Sequence, residues 1–271
     1  MSKSRSLAIL LLTAVAGMAG VPQNAQADPI NFLPSASVQF KYTNFESLIT
    51  QQGQSLSGIF NITTIDTLEG SPTFWAGNGV SDGTQLTGIF RNLTTSSIVT
   101  GPGGSDITFT GGELALFNVP NGSFNPSLGP GGSLTAQVCG GLCPTPWLTL
   151  NFANGIVPTN ASATLFSHVS SLTGPGTGSG SGYLDVGANG FGIGLNNGFF
   201  DTNGVNSPLG ARDFFLTSDV TICPGPGCIP AWPVKSQDPL IGGPVVPEPA
   251  TLLLFGSGLI GLGLWRQRRR G

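Results

Sequence analysis

Charge is scarce in this chain. Asp, Glu, Lys and Arg together make up 8% of its 271 residues, and histidine occurs once, as His168. From residue 28 to residue 265 the basic residues are only Lys41, Arg91, Arg212 and Lys235, against thirteen acidic ones, a balance of −9. Six of the ten basic residues sit in the two ends, so the whole-chain value of −3 hides this asymmetry. A nucleic-acid binder needs clustered Lys and Arg to displace counterions, and the central stretch has no such footprint. No phosphate-binding loop ending Gly-Lys-Ser/Thr is present, and the Gly-x-Gly runs lack the strand-then-helix context that would make them cofactor loops. Long helical periodicity is missing too, which excludes a parallel sheet joined by several crossover helices.

What the chain has in quantity is glycine (42 residues) and proline (21), with Ser, Thr and Asn filling much of the remainder. That mixture makes turns and strand edges. Seventeen Phe and four Trp supply a core, so a folded domain is expected rather than a disordered stalk. Residues 28–222, about 200 in number, can bury roughly 70% of their unfolded surface. The strongest internal signal is a repeat. Gly53-Gln-Ser-Leu-Ser-Gly-Ile-Phe returns thirty residues later as Gly83-Thr-Gln-Leu-Thr-Gly-Ile-Phe. In each copy a leucine (Leu56, Leu86), a glycine (Gly58, Gly88) and a phenylalanine (Phe60, Phe90) fall at period two, which puts them on one strand face. A glycine on an inner face makes room for a neighbouring ring or backbone. The two copies read as equivalent strands of one antiparallel architecture.

Further strands are expected over 107–110, 113–119, 147–152, 183–186 and 214–222, with a less regular one over 191–200, Gly111-Gly112 as a turn and 174–182 as a flexible loop. Residues 161–169 suit a short helix through Leu165, Phe166 and Val169. Many short strands at this spacing predict a mainly β chain, an antiparallel β-sandwich or jelly-roll-like domain over 28–222. The proline-rich stretch 223–245 reads as a semi-rigid spacer.

Both ends read as membrane signals. Lys3 and Arg5 precede an apolar stretch from Leu7 to Ala16, and Ala25-Gln26-Ala27 is a small-x-small cleavage site, so residues 1–27 are expected to be a signal peptide. At the other end Val246-Pro247-Glu248-Pro249 stands before an uncharged Gly/Leu-rich run over 250–265, closed by Arg266, Arg268, Arg269 and Arg270. The prolines stiffen the segment and remove backbone donors. As a helix the run is roughly 24 Å long, slightly short of a hydrocarbon core of ~30 Å, so it predicts a single marginal transmembrane helix. The arginines hold its C-terminus in the cytoplasm.

This order of triplet, span and arginines in residues 246–271 resembles the PEP-CTERM sorting signal of bacterial exosortase substrates. The resemblance covers about a tenth of the chain. It implies that Pro247, Glu248 and Pro249 are substrate residues for an integral-membrane exosortase, that the span is a temporary tether, and that the product is linked to exopolysaccharide or biofilm. Proteins bearing this signal carry many unrelated passenger domains, so it implies little about residues 28–240.

Four cysteines fall in two close pairs, Cys139/Cys143 and Cys223/Cys228. In an exported chain disulfides are expected rather than zinc thiolates. Three connectivities are open. Chain entropy favours a long bridge between the pairs, whereas proximity during folding favours two local ones, and the local ones are expected.

Several constellations could carry chemistry. Gly79-Val80-Ser81-Asp82-Gly83 matches a nucleophile-elbow pattern, with His168 as the sole available base, but a strand follows it where a helix is needed. Glu113, Asp185, Asp201 and Asp213 are candidates for a glycosidase pair, and nothing in their spacing singles out two of them. Asp201, Asn203 and Asn206 offer calcium oxygens without the twelve-residue loop pattern. The expected function is therefore non-enzymatic, with no cofactor and no metal: an exported Gram-negative surface or matrix protein. Its expected partners are signal peptidase, an exosortase-like peptidase, the membrane and exopolysaccharide, with nucleic acid excluded. The rival readings are a carbohydrate- or calcium-binding adhesion module with Trp75, Trp147 or Trp232 as a stacking platform, and a secreted hydrolase.

Overall fold

The computed structural model describes residues 36–77, 83–225, 227–237 and 239–244. The predicted signal peptide, Ser81, and the sorting tail with its predicted span over 250–265 lie outside them. The described chain is antiparallel β throughout, with a few short helical turns. Strand β1 (Ser37–Glu46) sets the pattern: Val38, Phe40, Tyr42 and Asn44 are buried, while Ser37, Gln39, Lys41 and Thr43 between them are half-exposed. Alternation of this kind drives one face of a strand inward and leaves the other in water.

The repeat forms the next pair. Strand β2 (Ser55–Thr67) runs antiparallel to β4 (Thr84–Gly101), with Gly58 opposite Phe90, Ile59 opposite Ile89 and Phe60 opposite Gly88. Each phenylalanine thus lies over the glycine of the other copy, and the local two-fold runs through the isoleucines. A Cβ on Gly58 would come to 2.5 Å from the Phe90 ring, and one on Gly88 would collide with the Phe60 ring. The expected role of those glycines, making room for a ring, is met across the strand pair. Short β3 (Thr73–Ala76) pairs with β2 ahead of β4, on the same side.

Strand β4 turns back into β5 (Gly104–Pro120) as one long hairpin. The Gly111-Gly112 pair is not a turn. Both glycines sit inside β5 at φ 71 and 102, opposite Asn92 at φ 63, so the strand bends there and continues. The other edge of β5 is shared by β6 (Leu148–Ala153) and β7 (Leu165–Val169), which together make one interrupted stave. Residues 165–169 are therefore strand and not helix: Leu165 and Val169 are buried while His168 between them is exposed. Both β6 and β7 pair on to β8 (Gly176–Val186), which corrects the expected loop over 174–182.

A small two-stranded sheet, β9 (Val205–Ser207) with β10 (Gly210–Arg212), precedes β11 (Phe214–Ile222), which pairs with β8 along its whole length. The expected spacer over 223–245 is also corrected. It carries β12 (Val234–Gln237) and β13 (Leu240–Pro244), and both pair with β11 on one side and with β1 on the other. Pro233, Pro239 and Pro244 lie at strand borders, where a missing N–H costs no ladder bond.

Since β1 also pairs with β2, the hydrogen-bonded circuit closes. Its eight staves are β1, β2, β3–β4, β5, β6–β7, β8, β11 and β12–β13, each antiparallel to the next and following chain order. The mainly β, antiparallel expectation holds. The two-sheet sandwich or jelly roll gives way to an up-and-down barrel, because the last staves return to the first and remove both free edges.

One part of the outer wall is buried as well. Ile89, Ala115, Phe117 and Val119 pack with Phe45, Val138 and Trp232 into a second core outside the ring. The cover is a 3-10 turn (Pro126–Leu128) and helix α1 (Leu134–Cys139), capped by the Ser133 hydroxyl and ended by Gly140 at φ 70. Trp232 Nε1 donates to the Pro126 carbonyl at 2.9 Å, and the Thr87 hydroxyl donates to the Val138 carbonyl at 3.1 Å. The disulfides are the two local ones, Cys139–Cys143 at the end of α1 and Cys223–Cys228 in the β11–β12 connection.

Candidate functional site

The inside of the barrel is filled at one end and hollow toward the other. At the rim where the chain enters at Ser37 and leaves at Pro244, which are register partners, Phe40 meets Trp147, Phe200 and Phe214 with ring centroids 5.8 to 6.4 Å apart. Phe200 comes from α2 (Asn197–Phe200), a single turn held by Asn197, whose side-chain oxygen accepts from the Thr149 amide at 3.0 Å. Edge-on aromatic packing of this kind leaves no channel.

Toward the opposite rim, where β1 ends at Glu46, the interior holds a cavity of about 80 Å³. Phe60, Phe90, Phe109, Leu114, Phe152 and Leu216 are among its apolar walls. The β8 wall carries almost no side chains. Gly178, Gly180 and Gly182 alternate with outward Ser179 and Ser181, and a Cβ on Gly180 would meet only the Ser218 hydroxyl at 2.9 Å and the Phe166 carbonyl at 3.9 Å.

One polar edge interrupts this lining. Asn44 and Glu46 follow Tyr42 on the inward face of β1, and the Ser236 hydroxyl of β12 lies between the Asn44 amide oxygen and a Glu46 carboxylate oxygen. Burial pushes the Glu46 carboxyl above its usual range, and the hydrogen bonds from Ser236 and Asn44 offset this only in part. Tyr42 is oriented by its hydroxyl, which donates to the Thr217 carbonyl at 3.1 Å.

The candidates read from sequence are not brought together here. Glu113 Oε1 accepts from Arg91 Nε at 2.7 Å and Asn92 Nδ2 at 2.8 Å, its other oxygen accepts from the Gly190 amide at 2.6 Å, and Arg91 also lies over the Phe191 ring at 3.8 Å. Asp185 pairs with Arg212 at 2.7 Å. Asp213 accepts from the Thr202 and Asn203 amides, both at 2.7 Å, and from the Val186 amide at 2.8 Å. These three carboxylates hold loops and strand ends, and Asp201 simply follows α2. His168 contacts Asp106 at 2.6 Å on the outer face of β7 and β5, with both side chains about half exposed. Trp75, Trp147 and Trp232 are each no more than 8% exposed, so none offers a stacking platform.

Sequence reading missed Asn44, Glu46, Ser236 and Gly180. Two signals pointed to them: Asn44 and Glu46 continue the alternation of Val38, Phe40 and Tyr42, and glycine recurs at every second residue from 176 to 182.

The barrel ends at Pro244, and the tail begins at the next residue. Residues 245–270 match the PEP-CTERM protein-sorting motif. The chain is thus an exported substrate of exosortase sorting. Val246, Pro247, Glu248, Pro249, Arg266, Arg268, Arg269 and Arg270 all fall inside the PEP-CTERM match, and Ala25 and Ala27 of the signal-peptide reading fall outside it. No curated protein and no solved structure significantly matches the chain. Among the described residues no helix is long and apolar enough to cross a membrane.

Proposed function

We propose that this chain is a non-enzymatic barrel protein of a Gram-negative cell envelope. Signal peptidase removes residues 1–27, the helix over 250–265 tethers the product to the inner membrane, and an exosortase-like peptidase cuts near Pro247-Glu248-Pro249. The released barrel then resides at the cell surface or in the matrix, in contact with exopolysaccharide.

The observation that carries this reading is the PEP-CTERM motif joined without a spacer to the last stave of a closed barrel. A closed barrel has no free edge to fray when its tail is cut, so a tether here can be temporary. The non-enzymatic part rests on the carboxylates: Glu113, Asp185 and Asp213 are already bonded to arginines or to backbone amides. Contact with hydrated glycan suits the outward faces of β8 and β11, where Thr177, Ser179, Ser181, Thr217 and Thr221 alternate with the inward residues.

Intact-mass measurement of the protein recovered from its native host tests the proposal. The expected product begins at Asp28, lacks Arg266 to Gly271 and is lighter by two hydrogens for each of two disulfides. A surface form that keeps the arginines would defeat the processing scheme.

A further inference from the structure

Close-packed interiors leave few voids larger than a water molecule. This barrel keeps one, although a larger side chain at Gly180 would reach into it. Gly178, Gly180 and Gly182 share the inward face of β8, and around Gly180 the nearest obstacle to a side chain is one serine hydroxyl. The void is also asymmetric. Its walls are mostly phenylalanine and aliphatic residues from staves all round the ring, with single serines at Ser47, Ser167 and Ser218. Its one amide and one carboxyl, Asn44 and Glu46, stand together at one edge, both bonded to Ser236 behind them. Burying such groups beside apolar walls is costly unless they are hydrogen-bonded, and Ser236 meets only one oxygen of each, which leaves capacity for a further partner from the cavity.

We propose that this cavity binds one unbranched aliphatic alcohol, with its hydroxyl at Asn44 and Glu46 and its chain running inward past Phe60 and Phe152. The span from Glu46 to Tyr42 is four residues, about 13 Å at ~3.3 Å per residue, which accommodates a chain of roughly ten carbons. A hydroxyl both donates and accepts, which matches an edge made of an amide, a hydroxyl and a carboxyl. A carboxylate has no proton to donate to the Asn44 and Glu46 oxygens, and an ammonium offers no acceptor and brings a full charge out of water. The cavity rim at Glu46 is opposite the rim at Ser37 and Pro244, so the site stays clear of the sorting tail's point of attachment. This site would exist whether or not the chain is processed.

The test is calorimetric titration of octanol, octanoate and octylamine into the full-length chain, held in a fluorinated surfactant that mixes poorly with alkyl chains. Octanol should bind one saturable site and raise the melting temperature, with octanoate and octylamine at least about tenfold weaker. The substitutions Gly180→Leu and Ser218→Leu fill the cavity from two neighbouring staves, and Glu46→Leu removes the carboxyl from the polar edge. Each should weaken octanol binding about tenfold or more. Absence of both saturable binding and a melting shift in the native chain would overturn the site. So would undiminished octanol binding in whichever cavity-filling variant melts like the native chain. Octylamine binding tighter than octanol, or octanol indifferent to Glu46→Leu, would overturn the assignment of the head group.

Discussion

At the scale of single residues, the inward face of β1 does two jobs in ten positions. Val38 and Phe40 fill one end of the barrel, and Asn44 and Glu46 bring polar atoms to the other. Glu46 carries the larger penalty, because its carboxyl ionises less readily in the folded chain than in the unfolded one. The linkage has a definite sign. Below its ordinary value of 4.5 the group is neutral in both states, and it costs no stability. As pH rises above that value the unfolded chain ionises first, so stability falls until the folded carboxyl ionises as well. Glu46→Gln removes this loss. Thermal melts should show the variant more stable than the native chain at neutral pH, with the difference disappearing below about pH 4.5. A pH-independent difference would mean that the carboxyl is not held above its ordinary range. Asp66 is the contrasting case: burial pushes its carboxyl up, but hydrogen bonds from Thr73, Lys41 and Thr64 and the Lys41 charge outweigh it and hold the group low.

At the scale of elements, the repeat shows how a sequence signal becomes a packing device. The Leu-x-Gly-x-Phe pattern places β2 and β4 in antiparallel register, so each ring covers the glycine opposite. Gly88→Ala should therefore cost about 1–3 kcal/mol, because the new methyl enters the space of the Phe60 ring. Phe60→Leu in the same chain should recover part of that loss, whereas strictly additive destabilisation in denaturant melts would show that ring and glycine are not coupled. Strand identity was legible wherever apolar and polar residues alternate, as over 214–222. It was illegible in β8, since glycine signals turns locally and contributes no hydrophobicity to a periodic pattern. The strands β12 and β13 were hidden for a related reason. Prolines at their borders look like a spacer, and only pairing with β1, nearly two hundred residues earlier, makes them staves.

At the scale of the whole molecule, closure depends on those last two strands. Ending the chain at Pro244 removes the sorting tail and leaves the circuit intact, so its melting should match that of the full chain. Ending it before Val234 exposes the edges of β1 and β11 along their length and should give an aggregating chain without a cooperative transition. Soluble, cooperative folding of the shorter chain would show that the barrel needs no final stave.

The C-terminal address was legible in the sequence: the Pro-Glu-Pro triplet, the apolar run and the arginines are neighbours in the chain, and their order alone makes up the sorting motif. The sequence also determined the β class and the shared face of Leu, Gly and Phe in each copy of the repeat, because side-chain alternation is a property of neighbouring residues. Only the tertiary structure decided that the strands close into a ring, that the two copies of the repeat pair with each other, and that Asn44, Glu46 and Gly180 line one cavity. Those outcomes rest on contacts between residues far apart in the chain, and local pattern carries no record of which distant edge a strand will meet.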